Sequence, residues 1–584
     1  MAFKPVIAVV PFGARSSDPR AGAWARQLAR RLVDRVGAEA ALDLRPVFLV
    51  AMPEGSAGEG HLILGSTPPP DLAAQYGASL GATRTLVGTY VEGPTGTRID
   101  ASLVDVTTKR VMSERSFAIA AGTLHGAERE LVAWIAAAVA VSAPESTDPV
   151  ANDDAYTALL EAMDQEVNAT LLRTSDAARA DDAVHAALDR YVDAAIADPE
   201  SVLPEERVLV LAAESLERGS VRHEIHALER LVSARPRAWR VHYILGQLRA
   251  ETDDANGAIV AFEHAHALHP LADPDLVRLA ELYANAGAVS PGLAHLRRIR
   301  PTSAAYGSAQ ELVAIIAYQR GDLDAATQAF DRAIAAGTDS WELHASRAAA
   351  HHARGETEPA AAHYRDALAK GAPGVVRLNL ARIELASGDR AEAQRDLDAL
   401  LASERTGEVA CHARRLRFGL RDAELERELE HAGQSALSGD ATTLDAAQAT
   451  FERALAIEPD LWEAHFGRGI VARQRGDADA ARAAFTKVLE LWPDQPDALH
   501  ELGVALLESG DEVNAALRAL DRAASLRPTD AAYLADAGFA HLRAGNLDTA
   551  RRYLERASGI DANDPITKQY VGELLRIENE VGKQ

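Results

Sequence analysis

Apolar and polar positions follow the period of an amphipathic helix over most of the chain, and glycines interrupt them at regular intervals. The stretch "GDADAARAAFTKVLELWP" (476–493) shows the order: a glycine, an alanine five residues later, and an aromatic residue four residues after that. The stretch "GDLDAATQAFDRAIAAG" (321–337) repeats it. This pattern predicts pairs of helices joined by tight turns, in which glycine accepts the positive φ that ends the first helix.

The turn glycines recur about every 34 residues, which is the length of one helical hairpin. Gly321 and Gly355 are separated by one such interval, and Gly388, Gly510 and Gly545 each follow the preceding turn glycine by the same interval to within a single position. A small residue stands seven positions before each turn, as Gly469 does before Gly476, and lets the two helices approach closely. Asp253 stands where the period places a glycine. Prolines close many units, because proline cannot continue a helix.

A helical hairpin that recurs about every 34 residues with these features resembles the tetratricopeptide repeat. The resemblance implies a mostly α fold, an α-solenoid in which the hairpins form a right-handed superhelix. In that family the concave groove, lined by the first helix of each unit, binds extended peptides or partner helices. We place units near 205–238, 239–272, 273–306, 307–340, 341–373, 374–407, 428–461, 462–495, 496–530 and 531–564, with a divergent first unit over 152–204.

The register breaks once. The interval from Gly388 to Gly476 exceeds two periods by about twenty residues. Either an extra helix interrupts the superhelix there, or two sub-arrays meet at a bend, which we favour. The predicted domains are an α/β domain at 1–142, a linker at 143–154, a first part of the array at 155–407, an irregular helical insertion at 408–427, a second part at 428–564, and a capping helix and tail at 565–584.

The opening segment, 1–142, shows strand patterns mixed with helical ones. "VIAVVPF" (6–12) is a continuous apolar run that predicts a buried strand, ended by proline and a turn over 13–17. "RIDASLVDV" (98–106) alternates and predicts a half-exposed strand. With helices expected at 20–37, 69–81 and 125–141, the order β-α-β-α-β-β-β-α predicts a small α/β domain with a mixed sheet. "GEGHLILG" (58–65) lacks the Lys-Ser/Thr of a phosphate-binding loop, so we expect a surface hairpin there.

This opening domain also resembles a known family. "VIAVVPF", the helix that follows the Ser/Asp turn, and "LGATRTLVGTYVEGPTGTRIDASLVDVTTKR" together resemble the TolB amino-terminal-like domain. The resemblance covers most of 5–135 and departs from the family pattern at 51–70. Relatives often join this domain to tetratricopeptide repeats, downstream of a winged-helix DNA-binding domain, a cyclase or a kinase. No such output domain is recognised here, so the resemblance implies a signalling or envelope accessory, with its effector, if any, on another chain.

The tetratricopeptide register selects the residues expected to face the groove. They mix polar and apolar types, which suggests a partner with both kinds of contact. The Lys/Asn clamp that some chaperone-binding relatives use for a C-terminal carboxylate does not occur at these positions. The candidates are Tyr243, Gln247, Glu281, Tyr318, Gln319, His352, Arg382, Phe466, Arg473, Gln474, His500, Phe539 and Arg543.

Composition narrows the classes of partner. A formal charge of −25 and a pI near 5.2 argue against nucleic acid, since phosphate binding needs a basic surface. No stretch approaches the roughly 20 apolar residues that span a bilayer, and the apolar opening run is too short for a signal peptide, which favours a cytoplasmic location. The single cysteine, Cys411, excludes an internal disulfide and is interpreted as a small buried hydrophobe.

Catalytic and metal sites are not predicted. The histidines at 223–226, 262–270 and 344–352 contain no H-E-x-x-H, and His344, His351 and His352 lie on one predicted helix without further ligands in sequence. We therefore expect no catalytic, cofactor or metal residues and no enzyme. The predicted function is a non-catalytic scaffold that binds a peptide or protein in the repeat groove. The alternative is a sensor or regulatory subunit whose N-terminal domain binds a small ligand or second protein and acts on a separate effector chain.

Overall fold

The computed structural model describes residues 5–18, 20–37, 42–47, 68–94, 96–119, 124–142, 152–173, 176–216, 221–437, 441–509 and 512–581. They form two compact units, residues 1–300 and 301–584, and each is described by itself. The first elements are β1 Val6–Val9, β2 Gly13–Arg15, α1 Ala21–Gly37, β3 Asp43–Pro46, α2 Pro70–Ser79, β4 Arg84–Gly93, β5 Gly96–Asp105, β6 Val111–Ile119 and α3 Leu124–Ala138.

The opening domain contains the mixed sheet that the sequence predicted. The strand order is β3-β1-β4-β5-β6, with β1 parallel to β3 and β4, and with β4, β5 and β6 antiparallel to one another. Leu28 and Leu32 of α1 and Leu131 of α3 pack with one face of the sheet, while Ala73 and Ala74 of α2 pack with the other. Both faces of β1 are covered, which explains its continuous apolar sequence.

One segment of this domain differs from the prediction. Residues 13–17 were expected to form a turn, but Gly13–Arg15 forms β2, which pairs in parallel with Thr89–Val91 of β4. β4 extends past β1, so the chain after Phe12 finds unpaired backbone groups there. The expected hairpin at 58–65, most of the divergent segment 51–70 and most of the predicted linker lie outside the described residues.

Helices make up the rest of the described chain, and they pack as successive antiparallel hairpins. In the first unit they are α4 Asp153–Leu172, α5 Ala177–Ala197, α6 Leu203–Ser215, α7 Arg222–Ala234, α8 Trp239–Ala250, α9 Ala255–Leu268, α10 Asp273–Asn285 and α11 Val289–Leu296.

The second unit begins with α12 and continues the same pattern of paired helices. Its helices are α12 Tyr306–Gln319, α13 Leu323–Ala335, α14 Trp341–Ala353, α15 Thr357–Ala369, α16 Gly374–Ser387, α17 Arg390–Ser403, α18 Glu408–Arg421, α19 Ala423–Leu437, α20 Ala441–Ile457, α21 Trp462–Gln474, α22 Ala478–Leu491, α23 Pro496–Ser509, α24 Val513–Leu526, α25 Ala531–Arg543, α26 Leu547–Ile560 and α27 Pro565–Val581. No helix in the described part of the chain is long and apolar enough to cross a membrane.

The turns between paired helices have the predicted conformation. Gly321 and Gly476 have φ of +76° and +77°, in the left-handed region where a side chain is strained. Asp253, which stands in place of a glycine, adopts φ +58° in the equivalent turn. Aspartate is one of the few residues other than glycine that tolerates this conformation, so this turn keeps its geometry without a glycine.

Close contact between the helices of a hairpin depends on the small residue before the turn. A Cβ atom on Gly469 would lie 2.5 Å from the ring of Phe485, which is fully buried in α22. At Gly246 of α8 the corresponding distance to the ring of Phe262 is 3.0 Å. The small residue thus lets the two helices approach closely, as predicted, and in both units it does so by making room for an aromatic ring of the second helix.

The break in the repeat spacing is occupied by regular helices. The segment 408–427 holds all of α18 and the start of α19. Cys411 of α18 is fully buried, as expected, and its Sγ lies 3.6 Å from the carbonyl oxygen of Leu491. Burial raises the pKa of this thiol to about 11, so it remains protonated at neutral pH.

Candidate functional site

Two helices, α8 and α21, carry the same arrangement of a tryptophan, a second aromatic residue and a glycine, and each is the first helix of its hairpin. The residues are four and three positions apart, which places them on one face of the helix. In each helix the tryptophan and the second aromatic line a surface pocket. The two sets are Trp239, Tyr243 and Gly246 in α8, and Trp462, Phe466 and Gly469 in α21.

The pocket in the first unit, here called the Tyr243 pocket, has a volume of about 490 Å³. Its walls are mostly apolar, and the segment between α9 and α10 closes one side. Trp239 stacks on His269 with the ring centroids 4.2 Å apart, and the Arg240 guanidinium lies 5.7 Å from the Trp239 ring. The lining residues are Leu209, Trp239, Arg240, Tyr243, Ile244, His269, Pro270, Leu271, Ala272 and Asp275.

A short hydrogen-bond chain fixes the Tyr243 side chain in this pocket. Its hydroxyl donates to Oδ1 of Asp275 at 2.8 Å and accepts from Nε2 of Gln247 at 3.0 Å. Burial raises the pKa of Tyr243 to about 12, and the Asp275 carboxylate adds to the shift. Two predicted groove residues, Tyr243 and Gln247, therefore lie together, and the orienting Asp275 comes from the next hairpin.

The pocket in the second unit, here called the Phe466 pocket, has a volume of about 480 Å³ and is richer in aromatic rings. Phe466 lies 5.5 Å from the Phe485 ring and 6.3 Å from Trp462. Phe451 comes so close to Gly467 that a Cβ there would lie 2.3 Å from its ring. The lining residues are Arg415, Leu429, Glu430, Gly433, Gln434, Leu437, Phe451, Trp462, Glu463, Phe466, Gly467 and Ile470.

A buried carboxyl group distinguishes the Phe466 pocket. Oε2 of Glu463 is enclosed and has no hydrogen-bond partner. Burial raises the pKa of this carboxyl to about 7, against the opposing effect of the Arg415 charge. Arg415 itself pairs with Glu430 at 3.0 Å and with Glu426 at 3.3 Å. The wall of the pocket thus holds an acid that a cationic or hydrogen-bond-donating ligand would stabilise in its ionised form.

Further along the second unit, hydrogen bonds between polar side chains connect α23, α25 and α27. Nε2 of His500 lies 2.8 Å from Oδ2 of Asp536, and the Tyr570 hydroxyl donates to Oδ1 of the same carboxylate at 3.2 Å. His500 also stacks on Tyr533, with the ring centroids 4.5 Å apart. The predicted candidate His500 is therefore part of a network that runs through α23, α25 and α27.

Other candidates of the second unit lie in similar contacts. Arg473 pairs with Glu501 at 3.1 Å, and burial raises the pKa of Glu501 while Arg473 opposes that shift. Phe539 stacks on Tyr570 of the last helix at 4.3 Å, and the Arg543 guanidinium lies 5.9 Å from the Phe539 ring. These contacts cover part of each side chain and leave Arg543 exposed.

The remaining candidates are exposed at the surfaces of their units, and their role in binding stays a prediction. Arg382 accompanies Asn379, whose Oδ1 accepts from its guanidinium at 3.2 Å. Tyr318 is an exposed aromatic residue. These exposed candidates are Glu281, Tyr318, Gln319, His352, Arg382 and Gln474.

Several residues of both pockets were missed by the sequence analysis. Trp239 and Trp462 stand seven positions before the small residue, a recurrence that the sequence contains and that a second periodic search would find. Glu463 and Asp275 carry no such signal, because their importance comes from burial or from neighbours on another hairpin.

The hairpins define the fold class as an α-solenoid, preceded by the small domain with its mixed sheet. Residues 312–375, 440–496 and 500–565 match the family described as Tetratricopeptide repeat, so these segments are tetratricopeptide repeats, as the glycine spacing predicted. Proteins with such repeats generally act as protein-interaction scaffolds, and the repeat fold is typically non-catalytic.

Similar solved structures include three of low sequence identity. A tetratricopeptide repeat protein from Parabacteroides merdae ATCC 43184 is 15% identical over 46% of this chain and 98% of its own, with a TM-score of 0.21. The pilF protein of Pseudomonas aeruginosa is 18% identical over 46% of this chain and 97% of its own, with a TM-score of 0.22. The structure of Naa15/Naa10 bound to HypK-THB is 14% identical over 72% of this chain and 91% of its own, with a TM-score of 0.36. No match was found among curated proteins.

Proposed function

We propose that this protein is a non-catalytic scaffold that binds an extended peptide or partner helix along the first helices of its repeats. The observation that carries the proposal is the recurrence of an aromatic pocket at the same repeat position in both units, around Tyr243 and around Phe466. Aromatic side chains that remain partly exposed in concave sites are common energetic anchors of protein interfaces.

The chemistry of the Phe466 pocket favours a particular kind of anchor residue. Its walls offer Leu429, Phe466 and Ile470 to an aliphatic stem, and Glu463 and Glu430 to a positive charge. Arg415 contributes the opposing charge, but it is already paired with Glu426 and Glu430. A lysine or arginine side chain of the partner has this combination of apolar stem and cationic tip. The chain's charge of −25 favours a basic partner over longer distances as well.

The polar network beyond the pocket supplies the second part of the proposed surface. His500, Arg473 and the exposed Arg543 offer hydrogen bonds and charge to a peptide backbone or to its side chains. Because these groups are fixed by Asp536, Glu501 and the Phe539 ring, little side-chain entropy is lost when a ligand binds.

A peptide-display selection against the whole chain tests this proposal. Selected peptides are expected to be enriched in lysine or arginine beside aliphatic residues, and Phe466→Ala is expected to weaken their binding at least about tenfold, as loss of an anchor does. Fluorescence anisotropy measures the affinity, and circular dichroism confirms that the variant is folded. Leu575→Ala, which truncates an exposed residue of α27, is the control. Selected peptides that bind the Phe466 variant with full affinity would contradict the proposal.

For residues 5–135 we propose a relationship to the TolB amino-terminal-like domain. The proposal is supported by the segments that carry the resemblance, which form β1, α1, β4 and β5. We propose that this domain is an accessory to the repeats, with any effector on another chain.

The alternative function, a sensor in which this domain binds a small ligand, is supported by how the domain meets the first repeat. The Asp164 carboxylate of α4 is buried and accepts hydrogen bonds from Arg26 at 2.8 and 3.0 Å and from Gln27 at 3.0 Å. A ligand that moved α1 would disturb this buried pair. Thermal-shift measurements on the whole chain with nucleotides and metabolites test the alternative, and a flat response across the panel would count against it.

A further inference from the structure

Two histidine rings and one aspartate carboxylate lie close together between α14 and α15, and none of them lines either pocket. His344 lies on α14, and His363 and Asp366 lie on α15. Nδ1 of His344 is 3.8 Å from Oδ2 of Asp366, and Nδ1 of His363 is 3.6 Å from the same oxygen. The three donor atoms all lie within 4.8 Å of one another. No hydrogen bond explains this convergence, because both distances to the carboxylate exceed hydrogen-bond length.

The histidine nitrogens at this position are buried without partners. His344 is 7% exposed, and its Nδ1 makes no hydrogen bond; the same holds for Nδ1 of His363. His351, whose ring centroid lies 5.4 Å from that of His363, has an unpartnered Nε2. A buried polar atom that has no hydrogen-bond partner destabilises the folded state. Three such nitrogens lie on neighbouring rings and are available to bind a ligand.

The opposite nitrogens of two of these rings are bonded to carboxylates. Nε2 of His344 lies 2.9 Å from Oδ1 of Asp339, and Nδ1 of His351 lies 2.6 Å from Oε2 of Glu356. A neutral imidazole that donates its N–H to a carboxylate presents the lone pair of its other nitrogen. Metal-binding histidines are oriented in this way by outer carboxylates in most proteins.

We propose that His344, His363 and Asp366 bind one divalent transition-metal ion, preferentially zinc, through the two Nδ1 atoms and Oδ2. Two imidazole nitrogens and a carboxylate oxygen are a donor set that zinc accepts, with an open fourth position for water. Donors around a tetrahedral zinc lie about 3.3 Å apart, given bond lengths near 2.0–2.1 Å. The observed separations of 3.6 and 3.8 Å are close to that value. Asp366 is exposed and provides the path by which the ion enters.

The charges around the site are compatible with a dication. Asp366 supplies one negative charge directly, and Asp339 lies behind His344 as an outer carboxylate. Each nearby cation is paired with a carboxylate, Lys370 with Asp339, Arg354 with Glu356 and Arg347 with Asp331, so that Asp366 remains as the acidic group that faces the two histidines.

Such an ion would join the two helices of a single repeat. The two histidine ligands are on different helices of the hairpin, and an ion that binds only the folded hairpin stabilises it by mass action. The inference is independent of peptide binding, because none of its ligands lines the Tyr243 or Phe466 pocket.

Cobalt titration of the metal-stripped whole chain tests the site. Co²⁺ is expected to bind with a stoichiometry of one and to give the visible absorption of a four-coordinate site, and Zn²⁺ is expected to displace it and raise the melting temperature. Asp366→Asn alters an exposed ligand without disturbing the core and is expected to weaken Co²⁺ binding by more than the roughly 10–100-fold that an outer-sphere substitution costs. His363→Ala is expected to abolish the absorption, with circular dichroism as the check on folding.

The control is His352→Ala, which removes an exposed histidine from the same hairpin. This variant is expected to bind Co²⁺ like the wild type. Absence of stoichiometric binding by the wild type would overturn the proposal. Binding that is unchanged in both Asp366→Asn and His363→Ala would also overturn it, since the ion would then be held by other histidines.

Discussion

The Tyr243 pocket and the Phe466 pocket are built on the same backbone arrangement but differ in their polar chemistry. In the first, the polar group is a tyrosine hydroxyl that is fully hydrogen-bonded to Asp275 and Gln247. In the second, a phenylalanine takes that position, and the polar group is a buried carboxyl on the residue after the tryptophan, with one oxygen unpartnered. One repeat therefore uses its polar atoms to stabilise itself, while the other keeps one available. This difference indicates which pocket is the better candidate for ligand binding.

The largest expected difference between the hairpins of the two pockets concerns one glycine in each, Gly469 in α21 and Gly246 in α8. Gly469→Ala places a Cβ 2.5 Å from the Phe485 ring, and we expect it to destabilise its hairpin by about 3 kcal/mol, at the upper end for overpacking. Both substitutions gain about 1 kcal/mol of helix propensity, and at Gly246, where the added Cβ would lie 3.0 Å from Phe262, this gain offsets the milder overpacking, so we expect almost no change.

Hydrogen exchange of α21 and α22, compared with that of α8 and α9, measures both effects locally. This readout is appropriate because a long repeat array need not unfold in one step. Equal losses of protection in the two variants would show that the tighter contact at Gly469 has no energetic consequence.

The second expected difference is in the response to pH. Glu463 has a folded-state pKa of about 7, above the ordinary value of 4.5, so the folded state binds more protons than the unfolded state between these values. Stability is therefore expected to fall as the pH rises from about 5 to about 8, by on the order of 2 kcal/mol. Glu463→Gln is expected to remove this part of the dependence.

Thermal unfolding at several pH values, expressed as wild type minus variant, isolates the contribution of Glu463 from that of other groups. Glu430→Gln is the matched control, since Glu430 lines the same pocket but is largely exposed. Parallel pH profiles for the wild type and Glu463→Gln would refute the assignment of a raised pKa to this carboxyl.

The smallest expected effect concerns the hydroxyl of Tyr243. Tyr243→Phe makes the first pocket resemble the second and leaves Asp275 and Gln247 without their shared partner. We expect a loss of about 1 kcal/mol, typical for one net hydrogen bond. Tyr318→Phe, at an exposed tyrosine, is expected to change stability by much less. If the two substitutions were equivalent in denaturant unfolding, the hydrogen-bond chain would not stabilise the first pocket.

The repeats were predictable from the sequence because their signals are local. The turn glycines, the small residues and the aromatic residues all act within one hairpin, and those in the described part of the chain lie where the spacing placed them. Even Asp253 was identified, since its position in the period mattered more than its type. β2 was missed because its stability comes from β4, which lies much later in the chain, and not from its own short segment.

The candidate sites were less predictable, for the same physical reason. His344 and His351 share one predicted helix, but His363 and Asp366 lie on the next helix and carry no motif that would link them to it. Glu463 looks like an ordinary helical glutamate in sequence. Only the surrounding side chains, which come from other helices of the pocket, reveal its burial.

The contact between the opening domain and α4 has a consequence for self-association. The end hairpin of a solenoid exposes an apolar face of the kind that stacks on a neighbouring repeat, and such ends invite copies to add head to tail into filaments. Here Tyr156 and Leu160 of α4 are buried in the same core as Leu28 and Leu131 of the opening domain. The opening domain therefore covers the apolar face of α4 in the first hairpin, so a second chain cannot stack on that face while the domain is folded.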